Sequence, residues 1–262
     1  MTYTAIELQI TNHVAWLTLN RPKVHNAFDD SMIAELLDAL AHVRDNDAAR
    51  VLVLQSNGKN FSAGADLGWM RSMAAKNYDE NIADAGELSR LMQELDELPK
   101  PTIALVQGAA FGGAVGLAAC CDIALATPAS SFCLSEVKIG LIPAVISPYV
   151  MRAIGTRHAR RYMLTAERFD AEEAARIGLV HNVVDNLQEA ATPLIEALVA
   201  NSPAAVTAAK QLALAIDQQP LNASTRRIAI ERIAEIRVSA EGQEGLTAFL
   251  EKRAPNWKTS HK

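Results

Sequence analysis

Residues 102–121 read TIALVQGAAFGGAVGLAACC, a run of apolar and small residues in which one glutamine is clearly polar. The first five residues are typical of a buried strand, the glycines from Gly108 to Gly113 indicate a break, and the residues after Gly113 are typical of a helix. Residues 103–121 are long enough to cross a bilayer, but their four glycines weaken helix propensity. We therefore predict a buried strand–helix unit in a soluble protein.

The same pattern occurs once before in the chain. Val51–Leu54 predicts a strand that leads into FSAGADL at residues 61–67 and then into a helix. Small residues let a ligand approach the backbone, and the first amides of a helix have no partner within it, so the two loops can offer two N–H groups to one developing negative oxygen. Each such donor is worth about 3–4 kcal/mol. The alternative, more usual for either loop alone, is that the glycines only permit close helix–strand packing.

Further strands and helices extend this α/β pattern. Other predicted strands are His13–Leu19 and Ile123–Ala126, and other predicted helices are Asp30–Val43, Glu87–Leu98, Leu187–Asn201, Pro203–Ile216, Ala223–Val238 and Glu241–Lys252. Apolar strands alternating with helices are typical of an α/β protein with a parallel sheet. Strand patterns end near Asn186, so we predict an α/β core over residues 1–200 and a helical C-terminal region over residues 201–262.

Composition narrows the function classes. The chain has 25 basic and 30 acidic residues, a net charge of −5 and 5% aromatic residues, so it lacks the basic stripe and stacking aromatics of nucleic-acid binders. The three cysteines have no metal-ligand spacing, which predicts reduced thiols in a cytoplasmic protein with no metal site. Ser135 and Ser147 lack the GxSxG context of a serine hydrolase, and neither loop fits a dinucleotide or P-loop motif.

Four blocks in register carry a resemblance to a known family. They are NRPK with Asn26-Ala27 at residues 20–27, FSAGADL at 61–67, GAAFGG at 108–113, and CDI at 121–123. Together they resemble the crotonase (enoyl-CoA hydratase/isomerase) superfamily over nearly the whole chain. The resemblance implies a spiral of ββα turns, a C-terminal helical region used in trimerisation, a homotrimer or dimer of trimers, and acyl-CoA thioester substrates. Coenzyme A is then part of the substrate, and no separate cofactor is expected.

The resemblance also implies roles for individual residues. The amides of Ala65 and Gly113 bind the thioester oxygen, and Glu136 is the acid–base residue. Coenzyme A is expected to contact Lys23, Val24, His25, Ala63, Asp66 and Leu67, and, from a neighbouring subunit, Phe249 and Lys252. The expected substrate pocket contains Met70, Phe111, Gly112, Gly116, Ser135 and Ala144. For two of these residues the plainer alternatives are a helix cap at Asp66 and a solvated helix cation at Lys252.

The chain departs from the familiar hydratase pattern at Gly116, which stands where two-carboxylate hydratases have their first glutamate. Residues 134–148 and 237–242 nevertheless resemble bacterial methylglutaconyl-CoA and carboxygeranoyl-CoA hydratases. We therefore predict hydration of a branched or carboxylated 2-enoyl-CoA, with Lys138 or Arg152 as candidates to bind the substrate carboxylate. The alternatives are a Δ3,Δ2-enoyl-CoA isomerase that uses Glu136 alone and, in another class, a non-catalytic acyl-CoA- or RNA-binding protein.

Overall fold

The computed structural model describes residues 2–259, which form nine strands and eleven α-helices. The strands are β1 (Ile6–Thr11), β2 (Val14–Leu19), β3 (Val51–Ser56), β4 (Thr102–Val106), β5 (Ala109–Phe111), β6 (Ile123–Ala126), β7 (Ser131–Cys133), β8 (Phe169–Asp170) and β9 (Asn182–Val183). The helices are α1 (Asp30–Asp45), α2 (Leu67–Ala75), α3 (Tyr78–Asp96), α4 (Gly113–Cys120), α5 (Ser147–Thr165), α6 (Ala171–Ile177), α7 (Leu187–Ala200), α8 (Pro203–Ile216), α9 (Ala223–Val238), α10 (Ala240–Leu250) and α11 (Asn256–Thr259).

Six strands form the main sheet in the order β1-β2-β3-β4-β6-β9. The β1–β2 pair is antiparallel, and every other neighbouring pair is parallel. The central strands β3 and β4 are covered on both faces, so their apolar side chains are almost completely buried. This is why both strands are continuous apolar runs rather than alternating ones.

Short strands that follow the main-sheet strands form a second, smaller sheet. After β4 the chain turns directly into β5 and then into α4, and after β6 it turns into β7. Strands β5, β7 and β8 form a three-stranded sheet, which isolated bridges extend from Ala110 to Ser62 and from Ala65 to Phe28. Each turn therefore consists of a main-sheet strand, a short strand of the second layer and usually a helix, which confirms the predicted α/β spiral.

Several predicted boundaries differ from the observed ones. The helix predicted over Glu87–Leu98 is α3 and begins at Tyr78, because Asn77 and Glu80 cap each other's backbone in a capping box and the added turns are exposed and polar. The helix predicted to end at Lys252 ends at Leu250, and Lys252 has a positive φ of 55°. The short strands of the second layer have two or three residues, too few for a recognisable period, and were not predicted.

The C-terminal helices divide into two groups by their contacts. Helix α7 packs on strands β3, β4 and β6, whereas α8, α9 and α10 pack on one another. Helix α8 also touches the core, because the Lys210 ammonium lies 2.8 Å from the Asp122 carboxylate and the Thr207 hydroxyl donates to the carbonyl of Pro99. Across residues 2–259, no helix is both long and apolar enough to span a membrane.

Candidate active site

A cavity of about 510 Å³ lies where the two glycine-containing loops meet helices α2 and α3 and the segment at residues 135–146. It brings together three of the predicted site residues, Ala65, Gly113 and Glu136. Met70, Gly112, Ser135, Ala144 and Ala63 also line it. Three cavities of similar volume, about 520, 540 and 590 Å³, contain none of the predicted residues. The 510 Å³ cavity is therefore the candidate active site.

The backbone around Ala65 leaves its amide available to a ligand. The Phe28 amide donates to the Gly64 carbonyl (2.8 Å), and the Asp66 amide donates to the Phe28 carbonyl (2.7 Å). Backbone groups of successive residues in extended chain point to opposite sides, so the Ala65 N–H points away from Phe28. Among the hydrogen bonds of the described residues, none uses this N–H as a donor. Ala65 can therefore supply one donor to the cavity.

The second available amide belongs to Gly113, the first residue of α4. A first-turn amide has no acceptor within its helix, and the helix N-terminus carries partial positive charge. The preceding Gly112 has φ 54° and ψ −121°, and its own amide donates to the Cys133 carbonyl at 2.9 Å. A Cβ atom on Gly112 would lie 3.0 Å from Oε1 of Glu136. Glycine at 112 therefore satisfies the backbone conformation and leaves space for the carboxyl group.

The Glu136 carboxyl group lies against these glycines with little solvent around it. Glu136 opens a 3₁₀ helix at Glu136–Ile139, and Ser135 alone separates it from the buried residues Cys133 and Leu134. Its Oε2 atom is buried and has no hydrogen-bond partner within residues 2–259. Burial raises the pKa of Glu136 above its ordinary value, because removing water disfavours the charged carboxylate. A carboxyl group with a raised pKa is suited to both accepting and donating a proton.

Gly116 was expected in the substrate pocket, but the structure places it behind the cavity wall. It is buried in α4 and does not line the cavity. A Cβ atom there would lie 2.3 Å from Cγ2 of Ile146 and 3.2 Å from Sδ of Met92. Ile146 itself lines the cavity and is 2% exposed. Any side chain at position 116 would therefore occupy space that Ile146 already fills. Among the described residues that line the cavity, Glu136 is the one carboxylate.

This packing predicts that Gly116→Ala lowers the free energy of unfolding by about 1–3 kcal/mol, the usual cost of overpacking a core. Gly86→Ala is the matched control, because Gly86 is also helical but a Cβ there has no atom within 4 Å. The control is expected to raise the free energy of unfolding by about 0.4–1 kcal/mol. Urea unfolding of both variants measures the difference, and equal effects of the two substitutions would refute the packing argument.

Phe111 was also expected in the pocket and does not line it. The Arg168 guanidinium lies 4.9 Å from the centre of the Phe111 ring, and the Phe111 carbonyl oxygen would lie 3.3 Å from a Cβ atom on Gly64. The backbone of Phe111 thus fixes how closely the two loops approach. Phe111 supports the loops from outside the cavity.

Of the residues expected to hold coenzyme A, those at positions 23–25 adjoin the 61–67 loop through one backbone contact. Lys23 and Val24 are exposed on a 3₁₀ helix at Pro22–Val24, and the carbonyl of His25 accepts the Ala63 amide at 2.9 Å. Leu67 is 70% exposed at the start of α2. These contacts place an exposed cation beside the loop that carries Ala65.

The backbone and the carboxylate of Asp66 both form structural hydrogen bonds. Its amide donates to Phe28, its carbonyl accepts the Met70 amide at 2.8 Å, and its Oδ1 accepts the Gly68 amide at 2.8 Å as the N-cap of α2. The capping alternative raised from the sequence is therefore observed. One lone pair of the Asp66 carbonyl stays open to a ligand, since a carbonyl oxygen accepts two hydrogen bonds.

Phe249 and Lys252 lie at the end of α10 and do not line the cavity. The Phe249 side chain is 82% exposed. Within the single chain the structure does not bring these two residues to the other site residues. The predicted contact of these two residues with coenzyme A is one made from a neighbouring subunit.

Of the two cations suggested for a substrate carboxylate, only Lys138 lines the cavity. The Arg152 guanidinium is bonded to both carboxylate oxygens of Asp96 and lies 3.8 Å from a carboxylate oxygen of Asp217. Lys138 is exposed and forms no ion pair with any residue from 2 to 259. Arg152 is thus already neutralised by acidic partners, whereas the charge of Lys138 is open to a ligand.

Sequence reasoning missed the contribution of Phe28. This residue is 2% exposed, lines the cavity, and forms backbone hydrogen bonds with the residues on both sides of Ala65. A Cβ atom on Gly113 would lie 3.7 Å from its ring. Its place directly after Asn26-Ala27 in the first motif block is the one sequence signal that could have identified it. Within residues 2–259, no group of three potential ligand side chains could hold a metal ion.

Comparisons with known proteins agree with this geometry. Residues 9–260 match the family model for "Enoyl-CoA hydratase/isomerase". The chain is 33% identical to a crotonyl-CoA hydratase of Syntrophomonas wolfei, over 98% of this chain and 99% of that protein. It is 29% identical to the mitochondrial Δ(3,5)-Δ(2,4)-dienoyl-CoA isomerase of Dictyostelium discoideum, over 98% and 91%. A crystal structure of an enoyl-CoA hydratase from Shewanella pealeana superimposes with a TM-score of 0.96 at 54% identity, over 97% and 96%.

Proposed function

The chain belongs to the enoyl-CoA hydratase/isomerase family, and we propose that it hydrates a branched or carboxylated 2-enoyl-CoA such as methylglutaconyl-CoA. One observation carries the proposal: among the described lining residues of one cavity, a single carboxylate, Glu136 with its Oε2 atom buried, a single cation, Lys138, and two backbone amides that donate to no other group come together. The amides fit a thioester oxygen, the carboxylate fits proton transfer, and the cation fits an acidic group on the acyl chain.

In the proposed reaction the thioester oxygen accepts hydrogen bonds from the Ala65 and Gly113 amides. Glu136 takes a proton from water as the water oxygen bonds to Cβ, and the electron pair of the double bond moves onto the thioester as an enolate. The two amides stabilise the negative oxygen at this stage, when its charge is largest. Glu136 then returns its proton to Cα, so that one water is added and the carboxylate is regenerated.

Two observations support an acidic substrate. Lys138 lines the same cavity as Glu136 and is the one cation among the described lining residues, so its ammonium can bind an acidic group on the acyl chain. Packing of Ile146 against Gly116 also leaves no space for a second protein carboxylate on α4. A carboxylate of the substrate can take over part of the task of holding water, provided that the protein supplies a cation for it.

A second candidate is Δ3,Δ2-enoyl-CoA isomerisation, which the single carboxylate favours. One group with a raised pKa suffices to remove a proton from Cα and return it to Cγ. Mass spectrometry separates the two reactions, because hydration adds the mass of one water and isomerisation leaves the mass unchanged. Incubation with methylglutaconyl-CoA and with a 3-enoyl-CoA tests both, and a mass change with the first substrate is the result we expect.

We expect Lys138→Met to lower kcat/KM for methylglutaconyl-CoA by about 10- to 100-fold, since a hydrogen bond to a charged group contributes about 1.5–3 kcal/mol. Turnover of uncharged crotonyl-CoA is expected to change little. Lys23→Met is the matched control: it removes an exposed cation that we assign to coenzyme A, so both substrates should lose affinity equally. Equal losses with Lys138→Met would contradict the role of Lys138.

We also propose that coenzyme A is bound as the resemblance implies, by Lys23, Val24, His25, Ala63, Asp66 and Leu67. Phe249 and Lys252 would complete this site from a neighbouring subunit of a homotrimer or a dimer of trimers. The exposed apolar side chains on α9 and α10 support such an interface; they are Ile230, Ile233, Val238, Leu246, Phe249 and Leu250. The proposed chemistry needs no cofactor beyond the coenzyme A of the substrate. Three unpaired, buried thiols support a cytoplasmic location.

A further inference from the structure

The Arg21 guanidinium makes three contacts close to the bridge that holds Ala65. Nη1 donates to the carbonyl of Ala27 at 2.5 Å, and Nη2 lies 2.8 Å from Oδ2 of Asp29 and 3.3 Å from Oδ2 of Asp66. The side chains of Arg21 and Asp66 are 22% and 20% exposed, so this ion pair is largely shielded from water. Such shielding makes the contact stronger and more rigid than a pair on the open surface.

These contacts join the two chain segments that form the bridge. Ala27 directly precedes Phe28, and Asp66 directly follows Ala65, so one guanidinium connects the neighbours of both bridge residues. A guanidinium is planar, and its N–H groups have fixed directions, so it sets the spacing between its acceptors in a way that a lysine ammonium does not.

The backbone of Arg21 is anchored, through Asn26, to the segment that leads into the 61–67 loop. Its amide donates to Oδ1 of Asn26 at 2.8 Å, and Nδ2 of Asn26 donates to the carbonyls of Asn57 (2.8 Å) and Asn60 (2.9 Å). Asn26 is 1% exposed. Arg21 is therefore fixed at both its backbone and its side chain, and it can transmit this rigidity to the residues it contacts.

Phe28, which pairs with Ala65, also lies close to Gly113, the second proposed oxyanion donor. The ring of Phe28 lies 3.7 Å from the position of a Cβ atom on Gly113. A shift of the segment at residues 27–28 would therefore change the distance between the Ala65 and Gly113 amides. Donors that stabilise a transition-state charge must be held in place before the reaction, and small displacements are costly.

We propose that Arg21 is a positioning residue for the oxyanion-binding amide of Ala65, which it holds in place through Ala27 and Asp66. The inference rests on the proposed function, because that function gives the Ala65 amide its role. Arg21 itself touches neither the substrate nor the reacting atoms. Its side chain controls how strongly the thioester carbonyl is polarised and leaves the affinity for coenzyme A unchanged.

The test uses Arg21→Lys, which keeps the charge and loses the planar fork. The readouts are kcat, KM and the absorption band of bound 2,4-hexadienoyl-CoA, whose conjugated thioester absorbs at longer wavelength when its carbonyl is polarised. We expect kcat to fall about 10- to 100-fold, KM to change less than threefold, and the red shift of the bound ligand to shrink. Arg44→Lys is the control, because Arg44 also forms an ion pair, with Glu94, but away from the cavity.

Asp66→Asn tests the same ion pair by changing the partner of Arg21. Asparagine can still accept the Gly68 amide as the N-cap of α2, but it loses the ion pair with Arg21. Asp66→Asn is expected to reduce kcat and the red shift in the same direction, and the double variant should be no worse than Arg21→Lys alone. If Arg21→Lys does not fold, Asp66→Asn decides the question.

The outcomes separate this inference from the proposed function. A lower unfolding temperature with unchanged kcat and an unchanged red shift would mean that Arg21 only stabilises the fold, and this would overturn the inference. The absence of a red shift in the unsubstituted protein would also overturn it. If the protein shows a red shift that Arg21→Lys reduces but converts no enoyl-CoA, then the positioning role stands and the proposed reaction is wrong.

Discussion

Replacement of Glu136 by glutamine is expected to lower kcat by about 100- to 10,000-fold, the range in which general acid–base catalysis contributes. Glutamine has nearly the same shape as glutamate and keeps the hydrogen-bonding oxygen, but it cannot accept a proton from water or return one to Cα. Because the two amides and the cavity are unchanged, KM should change much less than kcat. Steady-state kinetics with the substrate identified by the mass assay measures both.

The pH dependence follows from the burial of the same carboxyl group. Burial raises the pKa of Glu136 above its ordinary value of 4.5, so kcat/KM should fall with decreasing pH at a midpoint above 4.5. The folded state then binds more protons than the unfolded state between the two pKa values. The free energy of unfolding contributed by this group therefore decreases as the pH rises through that window.

Glu136→Gln removes this loss of stability, so the variant should gain stability relative to the unsubstituted protein between pH 4 and pH 8. Urea unfolding at both pH values measures the difference. Glu235→Gln is the matched control, since Glu235 is exposed in an ion pair with Arg232 on α9. Retention of more than a tenth of the activity by Glu136→Gln would exclude Glu136 as the acid–base residue.

Gly113→Pro is the second substitution for which we expect a large effect. Proline is tolerated at the first position of a helix, so α4 can still form, but the amide hydrogen of residue 113 is lost. Loss of one oxyanion donor costs about 100- to 1,000-fold in kcat. The ring also places a carbon atom where the hydrogen was, so the affinity for substrate falls as well.

Gly113→Ala separates loss of the donor from the effect of added bulk. An alanine Cβ would lie 3.7 Å from the Phe28 ring, an ordinary van der Waals contact, and the amide hydrogen is kept. We expect Gly113→Ala to retain most of the activity. If alanine and proline lower kcat equally, the N–H of Gly113 does not bind the thioester oxygen.

The parts of the fold that the sequence predicted well are those governed by local patterns. The apolar runs of β3 and β4 and the helix boundaries at Pro203 and Ala223 agree with the structure because burial and capping act within a few residues. Strands β5 and β7 were missed because they have three residues each and form only by pairing with other short segments of the second sheet.

The candidate site shows the same division. The loops around Ala65 and Gly113 were predicted from small residues at the start of helices, and the structure brings both residues to one cavity with Glu136. Phe28 and Arg21 were not predicted as site residues, since their importance depends on contacts with residues 37 positions away (Phe28 with Ala65) and 45 positions away (Arg21 with Asp66). A contact between such distant residues cannot be predicted from the pattern of residues near either one.

By itself, the sequence determined the α/β class and the two small-residue loops, because each follows from residue type and short-range spacing. Glu136 was identified only through the resemblance to the crotonase superfamily. The tertiary structure alone decided that Ile146 fills the space beside Gly116, that Arg152 is neutralised by Asp96 while Lys138 is open, and that Arg21 connects the neighbours of Ala65. These are facts about which atoms share a volume. They depend on how distant segments pack, and packing is settled only when the whole chain is folded.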